Sequence, residues 1–163
     1  MFGIVLLIVG AVLLHNGVCM LSKSDGRATS VINIMGGLIL FILYMLMIIR
    51  GYYLYGSVGM LVAVLYIYIG ITNIFNLDLK PLGWYSLFVA ISMIPMSVDS
   101  LLYGDTLMAI LWWMWIVLLS TMFVEESLGK DLKNTVSYMC LFMSVFTGLL
   151  PGYLLLFDAW VYF

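Results

Sequence analysis

The sequence predicts an all-α integral membrane protein with six transmembrane helices. Three observations carry this reading. The chain of 163 residues is 66% hydrophobic and 9% charged, more apolar surface than a soluble core of that size could hide. The apolar stretches are each about one bilayer crossing long. Between them lie only short polar breaks, so six spans use the whole chain and leave no extramembrane domain. The expected organisation is a single six-helix transmembrane domain over residues 1–163.

In order, the apolar runs cover residues 2–21, 29–49, 56–76, 84–103, 106–124 and 135–157. The first begins at Phe2 with no basic segment before it, so it is read as a first helix and not as a cleaved signal peptide. The breaks are Ser22–Arg27, Arg50-Gly51, Asn76–Gly83, Tyr103–Asp105 and Glu125–Asn134. Pro95 and Pro151 interrupt the fourth and sixth helices, because proline removes a backbone donor and clashes with the preceding turn. Gly10, Gly17 and the Gly36-Gly37 pair are read as points of close helix approach.

Charge sets the expected orientation. Lys23, Arg27, Lys80, Lys130 and Lys133 lie in the first, third and fifth breaks, whereas Arg50 alone lies in the second. By the positive-inside rule those three loops face the cytoplasm and both termini lie outside. The expected location is the cell (inner) membrane, crossed several times. The net charge of −2 gives no reason to expect a nucleic-acid partner.

The fifth run, Met108–Glu126, organises the rest. At helical spacing Met108, Trp112, Trp115, Leu119, Met122 and Glu126 share one face, while Trp113 points about 100° away. Tryptophan in a membrane helix usually anchors at the headgroup level. Trp112 and Trp115 stand in mid-span instead, where an indole N–H needs a partner. Similar stripes run through Phe2, Leu6, Val9, Leu13 and Asn16, and through Val62, Tyr66, Ile69 and Asn73. Asn16, Asn73 and Glu126 each stand seven residues before a lysine. This repetition suggests three copies of a two-helix hairpin with the odd helices facing inward, although plain packing faces explain it equally well.

No nucleophile–base pair, metal cluster or phosphate loop is evident, so neither enzymatic activity, nor a metal, nor a cofactor is expected. Cys19 and Cys140 lack metal-ligand spacing, and the lone His15 reads as a packing residue. Asp99 and Asp158 lie near helix ends, within reach of water. No span carries a charge at its middle, which disfavours an ion-coupled pump and permits a conduit for a neutral polar solute.

Two stretches carry a family resemblance. Phe2–Lys23, with Leu-Leu-x-x-Gly-x-Val-Leu-x-x-Asn-Gly-Val-Cys, resembles the first helix of the urea and short-chain amide channel family (UreI/AmiS). Ala28–Asn33 followed by Gly36-Gly37 is similar in the same way. The more specific match is Tyr66–Ile91, with its Asn-Leu-Asp, Pro and Trp-Tyr-Ser-Leu-Phe-Val-Ala-Ile pattern. The resemblance extends over essentially the whole chain. It implies six helices around a central pore within each protomer, termini outside, and a homohexameric ring with lipid at its centre. It places the pore aromatics on Tyr66, Trp112 and Trp115, with Leu118 alongside, and the first-helix constriction on Val9 and Leu13. Leu6 and Met108 join these from their stripes.

This chain also departs from the acid-activated member of the family. Leu119 stands where that member has another tryptophan, Met143 replaces a glutamate, and Val62 replaces a phenylalanine. The loop after the second helix, about Arg50–Gly56, is short and lacks the histidines of that member. The expectation is therefore a passive channel for urea or a similar small neutral amide, without acid gating. A non-transporting accessory subunit and a proton-coupled amide transporter are the alternatives. Sequence does not rank urea, acetamide and formamide.

Overall fold

A backbone in lipid must satisfy its own N–H and C=O groups, and an apolar run of about 20 residues does so as a helix. In a computed structural model, which describes residues 1–160, this happens six times. The elements are α1 (Phe2–Leu21), α2 (Gly26–Ile49), α3 (Tyr53–Phe75), α4 (Lys80–Ser92), α5 (Ile94–Leu102), α6 (Thr106–Leu128), α7 (Lys133–Met143) and α8 (Leu150–Leu156). The fourth span is α4 with α5, and the sixth is α7 and α8 joined by a π-helical segment, Ser144–Leu149. No strand occurs among the described residues.

Several helices begin or end inside the polar breaks. Hydropathy stops where charge appears, but hydrogen bonding continues until a cap ends it. The Asp25 carboxylate accepts from the Arg27 N–H at 3.0 Å and starts α2 before its apolar run begins. Pro81 occupies the first turn of α4, where its missing N–H costs nothing. The fifth span, α6, continues through Glu125 and Glu126 until Gly129 takes the left-handed conformation that closes it. The two prolines act as expected. Pro95 follows the interruption at Met93, and Pro151 follows the π-helical segment, which takes up the mismatch in the hydrogen-bond ladder.

The six spans form a ring in chain order, closed where the sixth packs against the first. Contact is closest between the second and third spans, the fourth and fifth, and the sixth and first. The threefold repetition therefore groups the helices as 2–3, 4–5 and 6–1. Small residues explain these seams, since in lipid helices gain from close van der Waals approach and not from hydrophobic collapse. Gly10 lies against Gly148, and a Cβ at Gly10 would stand 2.9 Å from the Ser144 carbonyl oxygen. Gly37 meets Ala63 and Ile67 across the 2–3 seam, and Gly83 meets Ser127 across the 4–5 seam.

Candidate functional site

Two cavities enter the ring from opposite ends. The cavity at the end bearing the lysines has a volume of about 360 Å³ and is bordered by Leu13, Asn16, Tyr66, Trp115, Leu119 and Glu126, among others. The cavity at the end bearing the N-terminus has a volume of about 1050 Å³ and is bordered by Phe2, Tyr55, Asp99, Asp105, Met108 and Trp160, among others. On α6, Met108 borders one cavity and Trp115 the other. That interval of two helical turns is about 10 Å at the α-helical rise.

The side chains singled out in the sequence are buried on the inner faces of the ring. Leu13, Val62, Tyr66, Trp115, Leu118 and Leu119 border the smaller cavity, and Met108 borders the larger. Leu6, Val9, Trp112 and Met143 are buried and border neither, in the packed layer between the two. Trp113, by contrast, is 50% exposed on the outer surface. The difference between Trp112 and Trp113 is the 100° turn between consecutive helical residues.

An aromatic cluster covers that layer on the side of the larger cavity. Phe2 and Tyr55 meet edge to face, their ring centres 5.9 Å apart. Trp112 lies 5.9 Å from Phe2 and 6.2 Å from Tyr55. The Tyr55 hydroxyl donates to the Asp99 carboxylate at 3.0 Å, which fixes its ring. Two buried polar atoms, the Trp112 Nε1 and the Tyr66 hydroxyl, have no hydrogen-bond partner among the described residues. Leaving such a group unpaired costs about 1–3 kcal/mol, so each needs an explanation. Both can donate in apolar surroundings; Tyr66 borders the smaller cavity, and Trp112 lies in the packed layer beside it. This arrangement suits an uncharged solute with a carbonyl acceptor, which an N–H or O–H can meet in the absence of water.

Three polar contacts were not legible in the sequence. Asn16 and Asn33 pair reciprocally: the Asn16 Nδ2 donates to the Asn33 Oδ1 at 3.1 Å and the Asn33 Nδ2 to the Asn16 Oδ1 at 2.7 Å. Asp105 caps α6 through the Met108 N–H at 2.9 Å, and its other oxygen accepts from the Trp160 indole at 2.9 Å. His15 Nε2 lies 3.4 Å from Cys19 Sγ, within one helix. The residues joined in the first two cases are 17 and 55 positions apart, and nothing local couples them. Glu125 and Glu126 also border the smaller cavity, together with Lys133. Among the described residues no group of acidic, histidine and cysteine side chains could hold a metal.

The ring of six spans, with its two cavities and its buried aromatic layer, has known counterparts. A family model described as AmiS/UreI family transporter matches residues 1–159. The chain belongs to the AmiS/UreI family. Members of this family are transporters and channels and not enzymes, and the chain is a multi-pass membrane protein. The acid-activated urea channel of Helicobacter pylori is 33% identical, the match covering 99% of this chain and all of that one. A protein named as a candidate AmiS2 transporter of Rhodococcus erythropolis is 29% identical over 93% of this chain and 77% of its own. Among solved structures, the crystal structure of the Helicobacter pylori urea channel superposes with a TM-score of 0.90 at 32% identity, covering 99% of this chain and all of that one. The alignment with the AmiS/UreI relative from Helicobacter pylori runs over 196 residues, so that relative has segments which this chain of 163 lacks.

Proposed function

We propose that this protein is a passive channel for urea or a similarly small neutral amide, built as a single six-helix domain. The observation that carries the reading is a pair of donors unpartnered among the described residues: Trp112 Nε1 in the apolar layer between the two cavities, and the Tyr66 hydroxyl on a side chain bordering the smaller one. Urea is planar and uncharged. Its faces can stack on indole and phenol rings, and its carbonyl oxygen can take the free N–H and O–H. No charged side chain lies in the middle of any span, so an ion entering the layer would lose its hydration without compensation and be rejected. The same absence disfavours proton coupling, which needs titratable groups along the path. The similarity to a urea channel and to a candidate amide transporter supports this substrate class. The pore in this reading is lined by Leu6, Val9, Leu13, Val62, Tyr66, Met108, Trp112, Trp115, Leu118, Leu119 and Met143.

In the same reading the protein sits in the cell (inner) membrane with the lysine-bearing end in the cytoplasm and both termini outside, and it assembles as a homohexameric ring around lipid. The assembly is what the family resemblance implies, and the distribution of basic residues supports the orientation. The direct test is flux of urea, acetamide and formamide into liposomes holding the purified protein. Dissipation of a urea gradient without accumulation is expected. Accumulation against a gradient driven by pH would overturn the passive reading, and absence of flux for all three solutes would favour an accessory role.

A further inference from the structure

We infer that Asn16 is a further binding residue on the path, a donor station for the amide carbonyl in the cavity at the lysine-bearing end, and that Asn33 positions it. This deepens the channel reading and rests on it.

The hydrogen-bond inventory of the pair is uneven. Both N–H groups of Asn33 are used, one donated to the Asn16 Oδ1 at 2.7 Å and the other to the Thr29 carbonyl at 2.8 Å. Its oxygen accepts from Asn16 at 3.1 Å. Asn33 is fully buried and does not border the cavity. Asn16 does border it, and among the described residues its amide nitrogen makes a single hydrogen bond. A carboxamide nitrogen carries two N–H donors, so one of them is left over. Thus a carboxamide bordering the cavity is held in one orientation by a buried neighbour whose own donors are spent, and it retains one donor.

Position supports the same conclusion. Asn16 lies on the face of α1 that also carries Leu13 and Val9, on the cavity side of the apolar layer. From Leu13 to Asn16 is about 4.5 Å along the helix axis at 1.5 Å per residue. The side chain of Tyr66, with its free hydroxyl, borders the same cavity. A solute leaving the Tyr66 hydroxyl therefore meets a second donor before it reaches bulk water. The acceptor both recognise is a carbonyl oxygen. A thiocarbonyl sulfur is a weaker acceptor of similar shape, and water has no need of an oriented donor, so the two solutes separate recognition from mere width.

The test compares urea, thiourea and osmotic water flux in proteoliposomes for four proteins: wild type, Asn16→Leu, Asn33→Leu and the double variant Asn16→Leu/Asn33→Leu. Removing one partner of a buried pair strands the other, whereas replacing both by apolar groups can be close to neutral for stability. The double variant should therefore assemble as the wild type does and pass water at least as fast. Its urea flux should fall several-fold, and its urea-to-thiourea ratio should fall towards one. Asn33→Leu should lower that ratio in part, because it leaves the Asn16 amide free to turn. Asn16→Ser makes the same prediction in case the double variant does not assemble, since a short hydroxyl engaged with Asn33 withdraws the donor from the cavity. Wild-type urea flux and ratio in a folded double variant, or in Asn16→Ser, would make the pair a packing element and overturn the inference. Failure of the wild-type protein to pass urea at all would instead strike at the channel reading on which the inference rests.

Discussion

Trp113 and Trp115 are two residues apart on α6, yet one is half exposed on the outer surface and the other is buried at the cavity. Removing each ring should therefore have different consequences. In Trp115→Ala, and likewise in Tyr66→Ala, a large ring is lost from the path, so the gap widens and admits water and bulkier amides. Selectivity for urea over a larger amide should fall even where raw flux rises. Trp113→Ala removes a ring from the lipid-facing surface and should leave both nearly unchanged. Flux in liposomes with matched content of folded protein checks this, and equal behaviour of Trp113→Ala and Trp115→Ala would contradict it. The inward stripe was readable because helical spacing converts directly into a shared face. The partners of Asp105 and Asn16 were not readable, because a hydrogen bond across 55 or 17 residues leaves no local pattern. Trp160→Phe should destabilise the protein by about 1.5–3 kcal/mol, the range for a hydrogen bond to a charged group, as measured by thermal unfolding in detergent.

At the scale of helices, the seams decide which neighbours are close. Gly10 and Gly148 let α1 and the sixth span approach until backbone meets backbone. Adding a methyl at Gly10 puts a Cβ 2.9 Å from the Ser144 carbonyl oxygen, and backbone cannot step aside as a flexible side chain can. Gly10→Ala should therefore cost about 1–3 kcal/mol, read as a lower unfolding temperature in detergent. Gly26→Ala is the informative control. Its Cβ would lie 3.7 Å from the nearest atom of Asn73, an ordinary contact, so stability should be unchanged or slightly raised. The close pairs 2–3, 4–5 and 6–1 could not be deduced from the spacing of lysines. Helices apolar on every side carry no stripe that marks the partner face, and small residues mark only where contact is possible.

For the whole molecule, the asymmetry of basic residues leads to an orientation that can be measured. With Cys19 and Cys140 replaced by serine, cysteines placed at Lys80 and Lys130 should react with an impermeant reagent only from the cytoplasmic side. One at the exposed Tyr103 should react only from outside. Labelling of the Tyr103 site from the cytoplasm would reverse the topology. A second expectation concerns acid. Histidine is the side chain whose unperturbed charge change falls between about pH 5 and 8. The chain has one, His15, on α1 beside Cys19 and away from the cavity at the N-terminal end. Acidifying only the outer medium from about pH 7.5 to 5 should leave urea flux nearly constant, and a steep rise would contradict this.

Sequence alone determined the number of spans, their nature and the face of α6 that carries Trp112 and Trp115. Each follows from a local rule: the thickness of the bilayer, the need to pair every backbone group, and the turn of the helix. It also carried the family resemblance, in the stretch Tyr66–Ile91. Tertiary structure decided the order of close pairing, the two cavities, and which donors remain unpaired between them. Those properties depend on where atoms from different helices meet. Tyr66 and Trp112 have free donors because, among the described residues, those packed around them from several spans offer no acceptor.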